Sequence, residues 1–211
     1  MTAMPANREP SMLDAALDLV RRMNWPVFPV HQMTSRRCTC GKADCASPTK
    51  HPRIKDWQKV ATTHEGTITN WWSRWPTANI GIVTGAPSGL IVVDVDPRHG
   101  GNVSIENLEA DHGKLPDTIE AITGGGGRHL LYRHQGGIVR NNANGKLGSG
   151  VDVRGDGGYI VASPSLHASG NRYHWELSSQ PGDVPLADPP PWLLELIRER
   201  STDANASAAA P

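Results

Sequence analysis

Residues 89–101, GLIVVDVDPRHGG, restrict the possible folds more than any other stretch. Four apolar residues, three of them β-branched, read as a strand, and the strand runs into two aspartates one residue apart. Side chains alternate along a strand, so Asp94 and Asp96 share a face with Val92, while Val93 and Val95 point the other way. GVDVRGD repeats the device, with Val151 and Val153 on one face and Asp152 and Arg154 on the other. Carboxylates brought close together repel unless a cation sits between them. Oxygen-rich sites of this kind suit Mg²⁺ or Mn²⁺, which keep several waters and bind substrate phosphates. Two such ions about 4 Å apart activate an attacking oxygen and neutralise a leaving one, the chemistry of phosphoryl or nucleotidyl transfer. An aspartate ahead of proline at a strand end also serves as a plain turn residue. For one DVD the two readings balance, and the second hydrophobic-Asp-hydrophobic strand favours the site.

Two further stretches carry chemistry. TGGGGRHLLYRH places Gly125, Gly126, Gly127 and Arg128 just ahead of His129. Glycines let backbone approach a ligand and offer N–H groups to an anion, and a His129 facing the aspartates has a hydrogen bond to donate to a nucleotide phosphate. A plain hairpin turn with a surface histidine is the alternative. CTCGKADCASPTKHP holds Cys38, Cys40, Cys45 and His51, a set able to close a structural tetrahedral Zn²⁺ site, with His31 as a competing fourth ligand. Three cysteines within eight residues fit a metal site in a reducing compartment, the cytoplasm, better than a disulfide framework. The same region concentrates charge: Arg36, Arg37, Lys42, Lys50, Arg53, Lys55 and Lys59 stand against Asp44 and Asp56. A metal-stapled basic lobe of this kind fits a phosphate backbone, and a solvated charged loop fits equally.

A basic footprint must be local, because Lys plus Arg equals Asp plus Glu at 21 each. No apolar run approaches the roughly 18 residues of a membrane span, so no membrane partner is expected. The remaining organisation is read from periodicity. SMLDAALDLVRRMN is an amphipathic helix capped by Ser11 with Asp14 three residues on, and WPVFPVH is a short strand. Residues 31–56 form a non-periodic, zinc-binding basic insertion. THEGTITNWWSRWP is a helix with a threonine cap and an apolar stripe of Ile68, Trp71, Trp72 and Trp75. Tryptophans also stack nucleic-acid bases, but this spacing favours core packing. ANIGIVTG and GLIVVDVD are strands joined by APSG, and SIENLEADHG is a helix ending at Gly113. TIEAITGGGGRHLLYRH is a strand pair, GVDVRGDGGYIVASPS and RYHWEL are further strands, and PPWLLELIRERS is a closing helix. The expected division is a flexible segment over 1–10, one domain over 11–200 and a disordered tail or linker over 201–211. Early alternation and late strands predict an α/β or α+β fold with a mixed sheet.

With these residues in view, the chain resembles the bifunctional primase–polymerase (prim-pol) domain of the archaeo-eukaryotic primase superfamily, found in plasmid and phage replication proteins, often ahead of a helicase. SPTKHP, WWSRWPTANIGIVTG, SGLIVVDVDPRHGG, TGGGGRHLLY and GVDVRGDGGYIVASPS carry the resemblance over about residues 12–198. It implies an α/β module packed against an RNA-recognition-like sheet, with the zinc-bearing segment beside the active-site cleft. It also implies that Asp94, Asp96 and Asp152 are the carboxylates of the catalytic metals and that His129 contacts the incoming nucleotide's phosphates. The family often has serine where this chain has Gly127, so backbone N–H groups would have to substitute for a hydroxyl. Arg154, on the face of Asp152, is a further candidate for a triphosphate contact, and Lys55 is another.

The reading that follows is a DNA-dependent primase/polymerase. It would use a single-stranded DNA template, ribo- or deoxynucleoside triphosphates (NTP/dNTP), two Mg²⁺ or Mn²⁺ ions and a structural Zn²⁺. A metal-dependent nuclease or phosphodiesterase, and a non-catalytic zinc-stapled nucleic-acid-binding module, are the alternatives. The sequence holds no GxxxxGK[ST] motif, so any helicase partner is expected on another chain or beyond residue 200.

Overall fold

The computed structural model describes residues 10–34, 37–141 and 145–198. The expectations for the segment before residue 10, for the tail beyond 200 and for Arg36 lie outside the described residues.

Helix α1 (Met12–Met23) begins at Ser11, whose hydroxyl accepts the Asp14 N–H while the Asp14 carboxylate accepts the Ser11 N–H. This reciprocal box satisfies two donors that a helix start leaves orphaned. Ser11→Ala is therefore expected to cost about 1 kcal/mol, seen as a lower urea midpoint at unchanged slope. Strand β1 (Val27–Val30) follows, then a small hairpin of β2 (Met33–Thr34) and β3 (Arg37–Cys38), and the single turn α2 (Trp57–Val60). Helix α3 (Glu65–Arg74) is capped by His64, not by the expected threonine. The His64 Nδ1 accepts the Thr67 N–H at 3.2 Å, while the Thr62 hydroxyl accepts the His64 N–H one step earlier. Ile68 and Trp72 of α3 are buried. Trp75, at its C-cap, instead lies under the guanidinium groups of Arg53 and Arg74, each 5.0 Å from its ring centre.

Strands β4 (Asn79–Val83) and β5 (Leu90–Val95) enter different sheets although a short turn joins them. A 3-10 turn (Pro97–His99) and helix α4 (Gly101–His112) lead to β6 (Ile119–Ile122), β7 (Arg128–Arg133), β8 (Val151–Arg154), β9 (Tyr159–Val161), β10 (His174–Trp175) and α5 (Pro191–Ile197). One sheet has the order β1-β4-β9, the larger one β10-β6-β7-β5-β8. In the larger sheet β5, α4 and β6 form a split βαβ unit with β7 inserted between its two strands. The mixed sheet expected from the alternation does not form. Every ladder between these strands is antiparallel, and among the described residues parallel pairing occurs only in isolated bridges such as Tyr132 with Ala187. Helices therefore cover the sheets without generating parallel neighbours.

The apolar run of β5 is explained by burial on both sides. Leu90 and Val92 pack with α1, α3 and the smaller sheet, whereas Ile91, Val93 and Val95 pack under α4 and α5. Asp94 continues the face of Leu90 and Val92, at the strand end where that core stops. The far face of the smaller sheet buries Phe28, Val30, Val83 and Val161, with Trp57 and Tyr159 partly covered over them. No helix among the described residues is long and apolar enough to cross a membrane.

Candidate active site

The central strand fixes the site. Asp94 stands in register with His129 of β7 on one side and with Asp152 of β8 on the other, so three side chains form a row across one sheet face. Opposed residues in an antiparallel pair have Cβ atoms about 5 Å apart. Arg154, two residues beyond Asp152 and so on the same face, places Nη2 3.0 Å from Asp94 Oδ2 and 3.3 Å from Asp152 Oδ2. His129 is buried, with Nε2 3.6 Å from Asp94 Oδ1 and a buried Nδ1 that has no hydrogen-bond partner. Burial holds this imidazole below its ordinary pKa, against the pull of the Asp94 carboxylate.

Asp96 is not a strand residue. It caps the 3-10 turn, accepting the Arg98 N–H at 3.0 Å, and its carboxylate takes both arms of the Arg98 side chain (3.0 and 2.8 Å). The His99 Nδ1 lies 2.9 Å away. Hydrogen bonds from the Arg98 side chain, more than any other cause, keep this carboxyl far below the usual carboxylate range. Asp96 still faces the same space. A cavity of about 430 Å³ is walled by Asp94, Asp96, Asp152, Arg98, Arg154 and His129 among others. It adjoins a second of about 400 Å³ that reaches Trp57, Tyr159 and Asn141. The two share Lys50, Asp94, His129, Arg154 and Tyr173.

The glycine loop is partly closed on itself. The Gly126 N–H donates to the Thr123 carbonyl and the Gly127 N–H to the Thr123 hydroxyl, both at 2.9 Å. Gly125 and Gly127 still line the cavity. A Cβ at Gly127 would meet the Val95 carbonyl oxygen at 2.5 Å, so a serine, which the resemblance led one to expect there, has no room without a backbone shift. Arg128 points to the opposite sheet face, where it lies 3.5 Å from Glu120, and Lys55 is exposed and lines neither cavity. Lys50, His167 and Tyr173, none of which the sequence reading placed in the cleft, are among the residues that line it. They come from loops and a sheet edge, where no periodicity points to them.

Beside the second cavity, Cys38, Cys40, Cys45 and His51 bring their ligand atoms within 4.8 Å of one another, the only such set of metal-ligand residues among those described. The His51 Nε2 is 3.3 Å from the sulfurs of both Cys38 and Cys45. Two ligands of one tetrahedral zinc, a thiolate and an imidazole, stand about 3.5 Å apart, so the donors fit a soft divalent ion. His31, the competing ligand, instead turns its Nδ1 to the Thr39 hydroxyl at 2.9 Å, and its ring packs tilted by 32° against that of His51, ring centres 4.6 Å apart. The carboxylates make no set that tight, since Arg154 bridges two of them and Arg98 holds the third. As an all-oxygen donor group they suit hard cations.

Residues 16–192 match the family described as bifunctional DNA primase/polymerase, N-terminal (Prim-Pol). No curated protein matches the chain.

Proposed function

From the membership of this chain in the Prim-Pol family of bifunctional DNA primases/polymerases, we propose that it is a template-directed nucleotidyltransferase, building or extending a primer on single-stranded DNA from nucleoside triphosphates. The observation that carries this reading is the register of Asp94 with Asp152 and His129, with Arg154 bonded to both carboxylates. Asp94 and Asp152, with Asp96, are the residues that hold divalent Mg²⁺ or Mn²⁺. Bound there, such ions neutralise phosphate charge and raise the nucleophilicity of a primer 3′-hydroxyl. The chain's own groups supply position and field. Arg154 presents a forked cation to the triphosphate, and His129, neutral and rigid in β7, offers one ring nitrogen to a phosphate oxygen. Both are pre-oriented by the sheet, so little reorganisation is needed when charge develops. The Cys38/Cys40/Cys45/His51 set holds a structural zinc, and the basic segment around it lies along the template path.

Incubation of a labelled oligonucleotide and template with Mg²⁺ or Mn²⁺, with and without nucleoside triphosphates, tests the assignment. Lengthening that requires the triphosphates is expected. Shortening without them would identify a nuclease, and binding with no turnover in any pool would identify a non-catalytic module.

A further inference from the structure

Lys50 reaches the cleft from an unusual piece of backbone. Its neighbour Thr49 has φ +66°, a left-handed conformation that β-branched residues avoid. Thr49 is also fully buried, and its hydroxyl has no partner. Both features are unfavourable, and a strained residue persists only where its surroundings over-determine it. Three successive carbonyls are gripped. Asn79 Nδ2 donates to that of Thr49 at 3.2 Å, the Tyr159 hydroxyl to that of Lys50, and the His31 N–H to that of His51 at 2.9 Å.

The remaining constraint is the loop itself. Cys45 and His51 flank the turn, and both belong to the Cys3His set, so an ion bound by that set closes a short loop whose apex is Thr49 and Lys50. Within the loop the Lys50 N–H donates to the Ser47 carbonyl at 3.2 Å. Lys50 lines both cavities, and its charge is near enough to lower the pKa of His129 and of His167, in each case behind the larger effect of burial.

We propose that the Cys38/Cys40/Cys45/His51 site is a positioning device for nucleotide binding: an ion clamped between Cys45 and His51 maintains the strained Thr49 turn, which aims the Lys50 ammonium at the phosphates of a nucleoside triphosphate in the cleft. The inference rests on the nucleotidyltransferase reading above. Metal occupancy and nucleotide affinity are then thermodynamically linked, each raising the other by the same factor.

Fluorescence titration of the zinc-loaded protein with N-methylanthraniloyl-dATP and Mg²⁺ tests the first half. Lys50→Met is expected to weaken binding about tenfold, raising KM for nucleotide with kcat largely kept, and Lys50→Arg restores most of the loss. Cys45→Ser weakens binding by a similar factor, and the double variant is no weaker than either single one. The second half needs no variant of a metal ligand. In competition with a chromophoric zinc chelator, unlabelled dATP with Mg²⁺ shifts zinc toward the wild-type protein and leaves its partition with Lys50→Met unchanged. Wild-type affinity in Lys50→Met, losses that multiply in the double variant, or a zinc partition blind to nucleotide would each overturn the proposal while leaving the nucleotidyltransferase reading intact. A wild-type protein that binds no nucleotide overturns both.

Discussion

Asp94→Asn is expected to lower nucleotide incorporation on a primed template by about a thousandfold or more, measured as product length against time with Mg²⁺ or Mn²⁺. The substitution keeps the shape of the side chain and removes its charge. Asp94 is the centre of the row, in register with both His129 and Asp152 and bonded to Arg154, so no neighbouring carboxylate can take over its place. Its support is rigid, because the four preceding residues of β5 are buried in two cores. The thermal midpoint is accordingly expected to stay within a few degrees, since the side chain is partly exposed and contributes no packing to either core. Incorporation at the wild-type rate would remove Asp94 from the chemistry and with it the assignment of the cleft.

The local parts of this arrangement are legible in the sequence because they depend on short spacings. The capping box of Ser11 and Asp14 needs three residues, the shared face of Asp94 and Val92 needs two, and Cys38, Cys40, Cys45 and His51 lie close enough in sequence for one ion to gather them. Pairing between strands is another matter. Nothing in GVDV states that β8 lies against β5 with Asp152 opposite Asp94, or that β4 leaves its neighbour β5 for a different sheet, because these follow from packing of distant segments. Asp96 shows the limit of a pattern. Alternation puts it on the strand face, yet the proline after it ends the strand, and its carboxylate turns to cap the next turn and hold Arg98. The lysine of the cleft was equally hidden. Lys55 and Lys50 both sit in the same charged segment and both are exposed, and their spacing does not reveal that Lys50, beside the left-handed Thr49, lines the cavity while Lys55 does not.

That dependence of the site on backbone packing leads to a second large effect, at Gly150. Gly150→Ala is expected to cost about 3 kcal/mol or more, the sum of a left-handed penalty and an overpacked contact. In a domain of this size that lowers the thermal midpoint by about 10 °C. Gly150 has φ +71°, and a Cβ there would meet the Gly101 nitrogen at 2.5 Å, the Asp96 carbonyl oxygen at 2.6 Å and the His99 carbonyl oxygen at 2.8 Å. These are main-chain atoms, which cannot swing aside as a flexible side chain would. The contact also bears on function, because the Gly150 carbonyl accepts the Asp96 N–H at 2.7 Å, and the Asp96 carbonyl in turn accepts the Gly101 N–H at 3.0 Å. Pushing the two segments apart moves Asp96 away from the start of β8, which changes its distance from the other two carboxylates. A misplacement of about 1 Å at a reacting centre costs on the order of a hundredfold in rate, so incorporation falls even under conditions where the variant is folded. Gly136→Ala is the control, since Gly136 has φ +73° but no atom within 4 Å of its Cβ position. It carries the conformational penalty alone, about 1–2 kcal/mol, and should leave incorporation unchanged. Equal destabilisation by the two substitutions would show that backbone strain, and not the contact between Gly150 and Asp96, sets the effect.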